Sequence, residues 1–266
     1  MLRVLGISIA ALGLMAAAPA DWRPLDPENT LVIESTKGRI VVELRPEFAP
    51  KGVERIKLLA REGVYGGLQF HRVIDGFVAQ TGNPNNRDGG VSAHPDLAPE
   101  FNFRLAPDVT TIAVERSDAR EGFVGATPFQ ATSAGEQSTT DPRLRGWGAY
   151  CRGVMGMGRQ ADPGTANSEI FFMRGPARRL DHEYTVVGRV VSGLDAVYGV
   201  AVGSPPKMPD LMLKVRMLGD IPEAERPKLE VMDTRGPAFQ AKVAMLKQEK
   251  GAAFTVCDVE IPTRPR

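Results

Sequence analysis

The sequence predicts a mainly β protein, a barrel or a sandwich built from short strands. At least seven short runs are rich in β-branched and aromatic residues, and only two or three short segments have helical spacing. Turn-forming residues are abundant, with 28 glycines and 21 prolines among 266 residues. Hydrophobic residues make up 42% of the chain and charged residues 24%, a balance that excludes disorder over the whole length.

The first twenty residues have the composition of a secretory signal peptide. Arg3 gives one positive charge, residues 4–18 are apolar or small, and Ala18-Pro19-Ala20 fits the small-x-small rule for cleavage. A retained membrane anchor is the alternative, but the stretch is slightly shorter than the about 20 apolar residues that a span needs. Because no later segment is long and apolar enough to cross a membrane, we expect a periplasmic or secreted protein without stable membrane insertion after cleavage.

The elements of the predicted fold begin with a hairpin and a helix. Residues 31–34 and 39–44 read as two strands joined by a Ser-Thr-Lys-Gly turn. Pro50 opens a helix that runs to about Arg61, with its apolar residues at helical spacing. A second short helix is predicted to begin at 194–198. Further strands are predicted at 70–74, 77–80, 109–114, 153–157, 170–173, 184–190 and 211–218.

Two segments do not follow this pattern. Residues 115–148 have no clear period and are rich in small and polar residues, which predicts a functional loop or an insertion. Prolines punctuate the chain after residue 220, where 239–249 is predicted to be helical and 254–261 extended. We therefore expect three parts: a signal peptide at 1–20, a main domain at 21–220 with an insertion at about 115–148, and a C-terminal extension at 221–266.

Cys151 and Cys257 are the two cysteines of the chain. Two cysteines in an exported protein favour one disulfide, which would tie the C-terminal extension to the middle of the chain. A loop of that length contributes about 4–5 kcal/mol to stability in the chain-entropy model. Two free, buried thiols are the alternative. The spacing is too wide for a zinc site and the three histidines are scattered, so we expect no metal.

Basic and acidic residues nearly balance, with 33 lysines and arginines against 32 aspartates and glutamates. Removal of Arg3 with the signal peptide leaves a neutral mature chain. No general basic field is available to hold nucleic acid, and we expect no nucleic-acid partner. A neutral chain without a long exposed apolar run is expected to be a monomer.

One motif resembles a cofactor site. Residues 156–161, Gly-Met-Gly-Arg-Gln-Ala, match the glycine pattern of dinucleotide-binding proteins, but that pattern requires a helix immediately afterwards. Asp162-Pro163-Gly164 breaks any such helix. The chain also lacks the common signatures of serine hydrolases, phosphate-binding loops and zinc proteases. We therefore expect no cofactor.

The most informative segment is residues 70–82, in which one arginine and one glutamine stand among apolar residues. Val78 and Gln80 share a face of the second predicted strand. An apolar patch with an amide beside the guanidinium of Arg72 suits a short peptide, because both polar groups can bond to its backbone. An amphipathic strand pair with a surface arginine is the alternative.

Residues 70–82 resemble the signature of the cyclophilin-type peptidyl-prolyl isomerases. Residues 167–172 are similar to the Ser-Gln-Phe-Phe strand of that family, and residues 180–188 to its later Leu-Asp segment. Residues 157–159 resemble the short motif that precedes the Ser-Gln-Phe-Phe strand. The motifs stand in the family's order, and the resemblance covers about residues 30–220.

The resemblance implies a closed eight-stranded antiparallel β-barrel capped by two helices, with a peptide groove on its outside and the C-terminal extension beyond it. It implies that the partners are proline-containing segments of unfolded or exported polypeptides, whose X-Pro bonds would be isomerised. Arg72 matches the catalytic arginine and Gln80 the amide that binds the substrate backbone. The residues that match the apolar pocket for the proline ring and its surroundings are Phe77, Val78, Phe171, Leu180, Tyr184, Gly158 and Arg159.

Two positions depart from the family pattern. Glu169 stands where the family usually has glutamine, and this carboxylate could pair with Arg72 and hold it away from substrate, or only orient it. Arg179 stands where the family often has an aromatic residue, which makes one wall of the groove more polar. These changes predict reduced activity and leave two other functions open: a proline-peptide-binding chaperone module, or a scaffold whose C-terminal extension docks a partner.

Overall fold

The computed structural model describes residues 20–83, 90–138 and 140–266. The predicted signal peptide therefore lies, apart from its last residue, outside the described residues. In these ranges no helix has the length and apolar character needed to span a membrane. The described α-helices are α1 (Pro50–Arg61), α2 (Leu194–Gly199) and α3 (Pro237–Lys250).

Seventeen strands in the described part of the chain form three antiparallel sheets, so the fold is mainly β as predicted. In chain order they are β1 (Trp22–Pro24), β2 (Thr30–Ser35), β3 (Gly38–Leu44), β4 (Leu68–Gln69), β5 (Arg72–Ile74), β6 (Val78–Thr81), β7 (Phe103–Leu105), β8 (Thr111–Glu115), β9 (Ala119–Val124), β10 (Thr127–Thr132), β11 (Leu144–Gly148), β12 (Val154–Met157), β13 (Ile170–Met173), β14 (Val186–Ser192), β15 (Leu211–Met217), β16 (Leu229–Met232) and β17 (Thr263–Pro265).

The main sheet has nine strands in the order β4-β15-β2-β3-β14-β12-β13-β6-β5. The sheet is curled into a half-barrel, and α1 packs against β15 and α2 against β3. The prediction of a closed eight-stranded barrel is therefore wrong. The two edge strands, β4 and β5, follow each other in the chain, and no ladder joins them in the residues that the structure describes. At the break the amide of Phe70 donates to the carbonyl of Asp210 and the amide of Val73 to that of Gly203, at 2.9 and 2.7 Å.

The second sheet has the order β7-β11-β10-β9-β8 and includes most of the segment that the sequence suggested was a loop or an insertion. Residues 119–148 contain three strands, so the absence of a clear period did not mean an absence of regular structure. Glycines inside β9 and β11 dilute the alternation of apolar and polar residues in these two strands. A Cβ on Gly122 would lie 2.2 Å from the carbonyl oxygen of Thr111, and one on Gly148 would lie 2.3 Å from Val186 of the main sheet. Close packing requires glycine at both positions.

The C-terminal extension packs on the second sheet. Helix α3 extends slightly beyond the predicted 239–249, and the ring of Phe239 meets the edge of Phe123 on β9 at 5.4 Å. Residues 254–261 were predicted to be extended, but residues 256–258 form a 3-10 turn. Thr255 and Asp258 cap this turn reciprocally, which satisfies the backbone amides that a strand would have paired. In the third sheet β16 pairs with β1 on one side and with β17 on the other.

A disulfide joins Cys151, which precedes β12, to Cys257 in the capped turn. Cys151 is fully buried in an apolar cluster to which the main sheet, the second sheet and α3 all contribute. The bridge therefore connects the main sheet to the C-terminal extension through a buried contact.

Glu43 connects all three sheets through one buried carboxylate. It lies on β3 with 1% of its surface exposed. Its two oxygens pair with Arg23 of β1 at 2.6 Å and with Arg45 at 2.5 Å, and it accepts a hydrogen bond from the amide of Ala126 in the turn between β9 and β10. Burial alone would raise the pKa of Glu43, but the charges and hydrogen bonds of both arginines outweigh it and lower the pKa to about 2.

We expect Glu43→Gln to lower the free energy of unfolding at pH 7 by about 3–5 kcal/mol, because two arginines would lose their buried partner. The wild-type contribution is complete above pH 4.5, the ordinary pKa of the carboxyl, and is lost as the pH falls toward 2. Denaturant titrations at several pH values should therefore give free energies of unfolding for the two proteins that become equal as the pH falls toward 2.

The matched control is Glu34→Gln, which removes a more exposed partner of Arg39. This change should cost less than about 1 kcal/mol. If the free energies of unfolding of wild type and Glu43→Gln differ by an amount that does not depend on pH, Glu43 does not have the lowered pKa described here.

Candidate active site

The register of the strands brings the two polar residues of the 70–82 motif next to an aromatic residue of the 167–172 motif. Arg72 on β5 lies directly opposite Gln80 on β6, and Gln80 lies directly opposite Phe171 on β13. Residues opposite each other point to the same side of a sheet, so the three side chains share one face. The alternate residues Val73, Ala79 and Phe172 belong to the hydrophobic core on the other face.

The residues predicted from the resemblance line one cavity of about 330 Å³. It lies on the face of the sheet opposite to that core. All ten predicted residues line it, while their roles stay predictions: Arg72, Phe77, Val78, Gln80, Gly158, Arg159, Glu169, Phe171, Leu180 and Tyr184.

Phe171 forms the centre of the apolar wall. Its ring stacks on Tyr150 at 5.7 Å and meets Tyr184 edge-on at 5.6 Å. Sequence reasoning missed Tyr150, which is fully buried and carries no motif signal. Burial raises the pKa of Tyr150 well above its ordinary value, so this residue stays a neutral support for the Phe171 ring.

The glycine motif at 156–158 has a packing role in this cavity. A Cβ on Gly156 would lie 2.5 Å from the Phe171 ring, and one on Gly158 would lie 2.1 Å from a carboxylate oxygen of Glu169. No side chain fits at either position without moving its neighbour. The motif that resembled a dinucleotide site therefore makes room for two residues of the cavity.

A chain of hydrogen bonds leads from Arg72 to Glu169. Arg72 Nη1 donates to Gln80 Oε1, and Gln80 Nε2 donates to Glu169 Oε1 at 2.9 Å. Asn83 Nδ2 donates to the other oxygen of Glu169 at 3.3 Å, and His71 Nε2 lies 3.5 Å from the same oxygen. Sequence reasoning did not identify His71 or Asn83, although both belong to or adjoin the first motif.

Glu169 therefore acts on Arg72 through Gln80. No ion pair joins Arg72 to Glu169 directly among the described side chains. Glu169 has only 1% of its surface exposed, and an ionised carboxylate can only accept hydrogen bonds. The amide group of Gln80 must therefore turn toward Glu169, which directs its carbonyl oxygen at Arg72. The carboxylate therefore reaches Arg72 through Gln80, and whether it restrains the arginine or only orients it stays a prediction.

Two arginines lie on aromatic rings at the rim of the cavity. The guanidinium of Arg159 is 4.5 Å from the centroid of the Tyr184 ring, and it pairs with Glu183 at 3.4 Å. The guanidinium of Arg179 is 4.5 Å from the centroid of the Phe77 ring. The rim is therefore more basic than the apolar wall below it.

The wall that carries Leu180 is held in place from the second sheet. Leu180 ends a 3-10 turn at 178–180. Arg178 in this turn pairs with Asp181 at 2.6 Å and with the buried Glu121 of β9 at 3.0 Å. Asp181 in turn accepts a hydrogen bond from the backbone amide of Tyr150 at 2.9 Å. The segment without a clear sequence period thus supports one side of the cavity.

The described residues contain no cluster of three or more histidine, cysteine, aspartate or glutamate side chains that could hold a metal ion. The chemistry that the cavity offers is an apolar surface, one guanidinium oriented by an amide, and further cations at the rim. Such a surface can bind an apolar ring and donate hydrogen bonds to polar atoms next to it.

One family of known proteins matches this chain in both sequence and structure. The model of the family described as cyclophilin type peptidyl-prolyl cis-trans isomerase/CLD matches residues 30–217. A protein of Brucella suis described as a probable peptidyl-prolyl cis-trans isomerase is 35% identical over 230 residues, which cover 80% of this chain and 91% of that protein. The human peptidyl-prolyl cis-trans isomerase-like 1 is 30% identical over 190 residues, 71% of this chain and 87% of its own.

A crystal structure of a cyclophilin from Hirschia baltica is similar over nearly the whole chain. It has a TM-score of 0.81 and 33% sequence identity, and the match covers 91% of this chain and 92% of that one. The similarity in structure therefore extends beyond the residues that the family model matches. With its motifs, its fold and these relatives, the chain belongs to the cyclophilin-type peptidyl-prolyl cis-trans isomerases, a family of enzymes.

Proposed function

We propose that this chain accelerates rotation about X-Pro bonds in polypeptides and that Arg72 is its catalytic residue. The observation that supports this most strongly is the position of Arg72 on the lining of a cavity with one apolar wall, with its guanidinium oriented by Gln80. The cavity takes the proline ring against Phe77, Phe171 and Leu180. The same surface carries the donors that the reaction needs.

The chemistry explains why an arginine suits this position. Rotation about the bond must cross a barrier of about 18–20 kcal/mol, because the planar amide is conjugated. In the twisted transition state the prolyl nitrogen becomes pyramidal and regains a lone pair. A guanidinium that donates to this nitrogen binds the twisted state more strongly than either planar isomer, and only such differential binding accelerates the step.

The remaining residues position the substrate. The apolar wall holds the ring while the carbonyl before the proline swings, and Gln80 can bond to the peptide backbone next to it. Rotation makes and breaks no covalent bond. The reaction therefore requires no nucleophile and no cofactor from the protein.

We expect Arg72→Lys to lower kcat/KM for a short X-Pro peptide by about 10²–10³-fold, the usual cost of removing one preorganised donor. Lysine keeps the charge but lacks the planar fork that Gln80 orients. The measurement is cis-to-trans isomerisation of the peptide. Arg143→Lys, an exposed change outside the cavity, is the matched control. Near-native turnover by Arg72→Lys would count against the catalytic role.

We expect Glu169→Gln to raise kcat/KM by about two- to tenfold, equivalent to at most about 1.4 kcal/mol. The change removes a buried negative charge near the guanidinium, and the new amide oxygen can still accept from Gln80. Asp75→Asn removes an exposed carboxylate between β5 and β6 and should leave the rate within twofold. An unchanged or lower rate for Glu169→Gln would show that the carboxylate does not restrain catalysis.

One observation favours a second candidate function, a proline-peptide-binding chaperone module with weak catalysis. Both polar atoms of the Gln80 amide are hydrogen-bonded: its oxygen accepts from Arg72, and its nitrogen donates to Glu169. A peptide backbone must compete with these contacts for the amide. If the chain binds proline peptides without accelerating their isomerisation, this second function replaces the first.

We further propose that the protein is exported and assists the folding of exported polypeptides. The proposal rests on the predicted signal peptide at 1–20 and on the disulfide, which forms and persists in oxidising compartments. Mass spectrometry of the protein from its host, separated into cytosolic, membrane and periplasmic fractions, tests it. We expect a soluble periplasmic or secreted chain that begins at Asp21. An uncleaved chain in the cytosol or the membrane would contradict it.

A further inference from the structure

We propose that Arg179 makes this cavity prefer proline segments in which a residue next to the proline has an acidic side chain. The proposal rests on the proposed isomerase function, since it names the class of substrate that the same site selects. It concerns a residue that does not line the cavity itself but lies on one of the rings that do.

Arg179 is an exposed cation at the rim of the cavity. Its guanidinium is 4.5 Å from the centroid of Phe77, a half-buried ring that lines the cavity. Within the described ranges, no carboxylate pairs with it. A guanidinium stacked on a ring keeps the donors along its edge available for a second partner.

The other cations near the cavity are already engaged. Arg72 donates to Gln80, and the proposed function assigns its remaining donors to the prolyl nitrogen. Arg159 pairs with Glu183 and donates to the carbonyl oxygens of Gln160 and Ala161. Arg179 is therefore the cation at this rim with donors to spare.

The nearby carboxylates do not neutralise Arg179. Glu169 is buried and accepts from Gln80 and Asn83. Asp75, which lies in the turn before Phe77, pairs with Arg174 at 3.1 Å. An anionic group brought to this rim therefore meets a positive charge without competing for it against a carboxylate of the protein.

The position of Arg179 is defined by its neighbour in the turn. Arg178 pairs with Asp181 and Glu121, so the turn at 178–180 is tied to the second sheet. When a proline ring packs against Phe77, the side chain of the residue next to the proline lies at the rim of the cavity, near Arg179. A carboxylate there can meet the fork of Arg179 in two parallel hydrogen bonds, a geometry that lysine and amide side chains do not offer.

The test compares peptides that differ only next to the proline. Glutamate, glutamine or lysine is placed directly before it in one series and directly after it in the other. In at least one series, we expect kcat/KM for the glutamate peptide to exceed that for the lysine peptide by about three- to tenfold at low salt. This ratio should fall toward one in about 1 M salt, where the Debye length is about 3 Å.

Arg179→Gln should bring the ratio of glutamate to lysine peptide close to one, and Arg179→Glu should invert it. Each ratio is taken within one variant, so a general loss of activity does not affect it, and circular dichroism confirms that the variants fold. Lys214→Gln removes the same charge from an exposed position on β15 that does not line the cavity, and it should keep the wild-type ratio.

Equal kcat/KM values for the acidic and basic peptides in both series of the wild type would overturn the proposal. Persistence of the preference in Arg179→Gln would also overturn it. If the wild type isomerises none of the peptides, the proposed function fails, and peptide affinities measured by calorimetry then decide the preference separately. A glutamate preference in affinity that Arg179→Gln removes supports the role of Arg179, and equal affinities contradict it.

Discussion

The register of β5, β6 and β13 is the constraint on which the site depends. It sets Arg72, Gln80 and Phe171 opposite one another on one face and places their neighbours in the core on the other. A slip of one residue in β6 would turn the Gln80 amide into that core and expose apolar residues instead. The burial that stabilises the sheet therefore also fixes the guanidinium, the amide and the aromatic wall relative to each other.

The rest of the chain keeps this three-strand unit rigid from outside. Glu43 joins the main sheet to the other two through buried ion pairs and a backbone amide. Arg178 connects the wall of the cavity to Glu121 in the second sheet. The disulfide joins Cys151, the residue after Tyr150, to the C-terminal extension. The second sheet and the extension thus act as a brace for one side of the cavity.

The sequence predicted the elements and residues whose signals are local. The hairpin, α1 and the strands of the site follow from alternation, helical spacing and motif, and the residues of the cavity follow from the family's motif order. It did not predict β9 and β11, because close contacts at Gly122 and Gly148 replace the alternating side chains that mark a strand. Nor could it predict that Glu169 reaches Arg72 through Gln80, since this depends on register across two strand pairs.

Arg72 is proposed to bind the twisted state of the substrate and to contribute little to binding of the planar isomers. Exchange NMR of a short X-Pro peptide with the chain lacking residues 1–20 measures both effects in one sample. For Arg72→Ala, we expect that binding-induced shifts of the peptide remain while cis-trans exchange cross-peaks disappear. Exchange that continues at the wild-type rate in Arg72→Ala, or peptide binding and exchange that fall together, would rule out this role of Arg72.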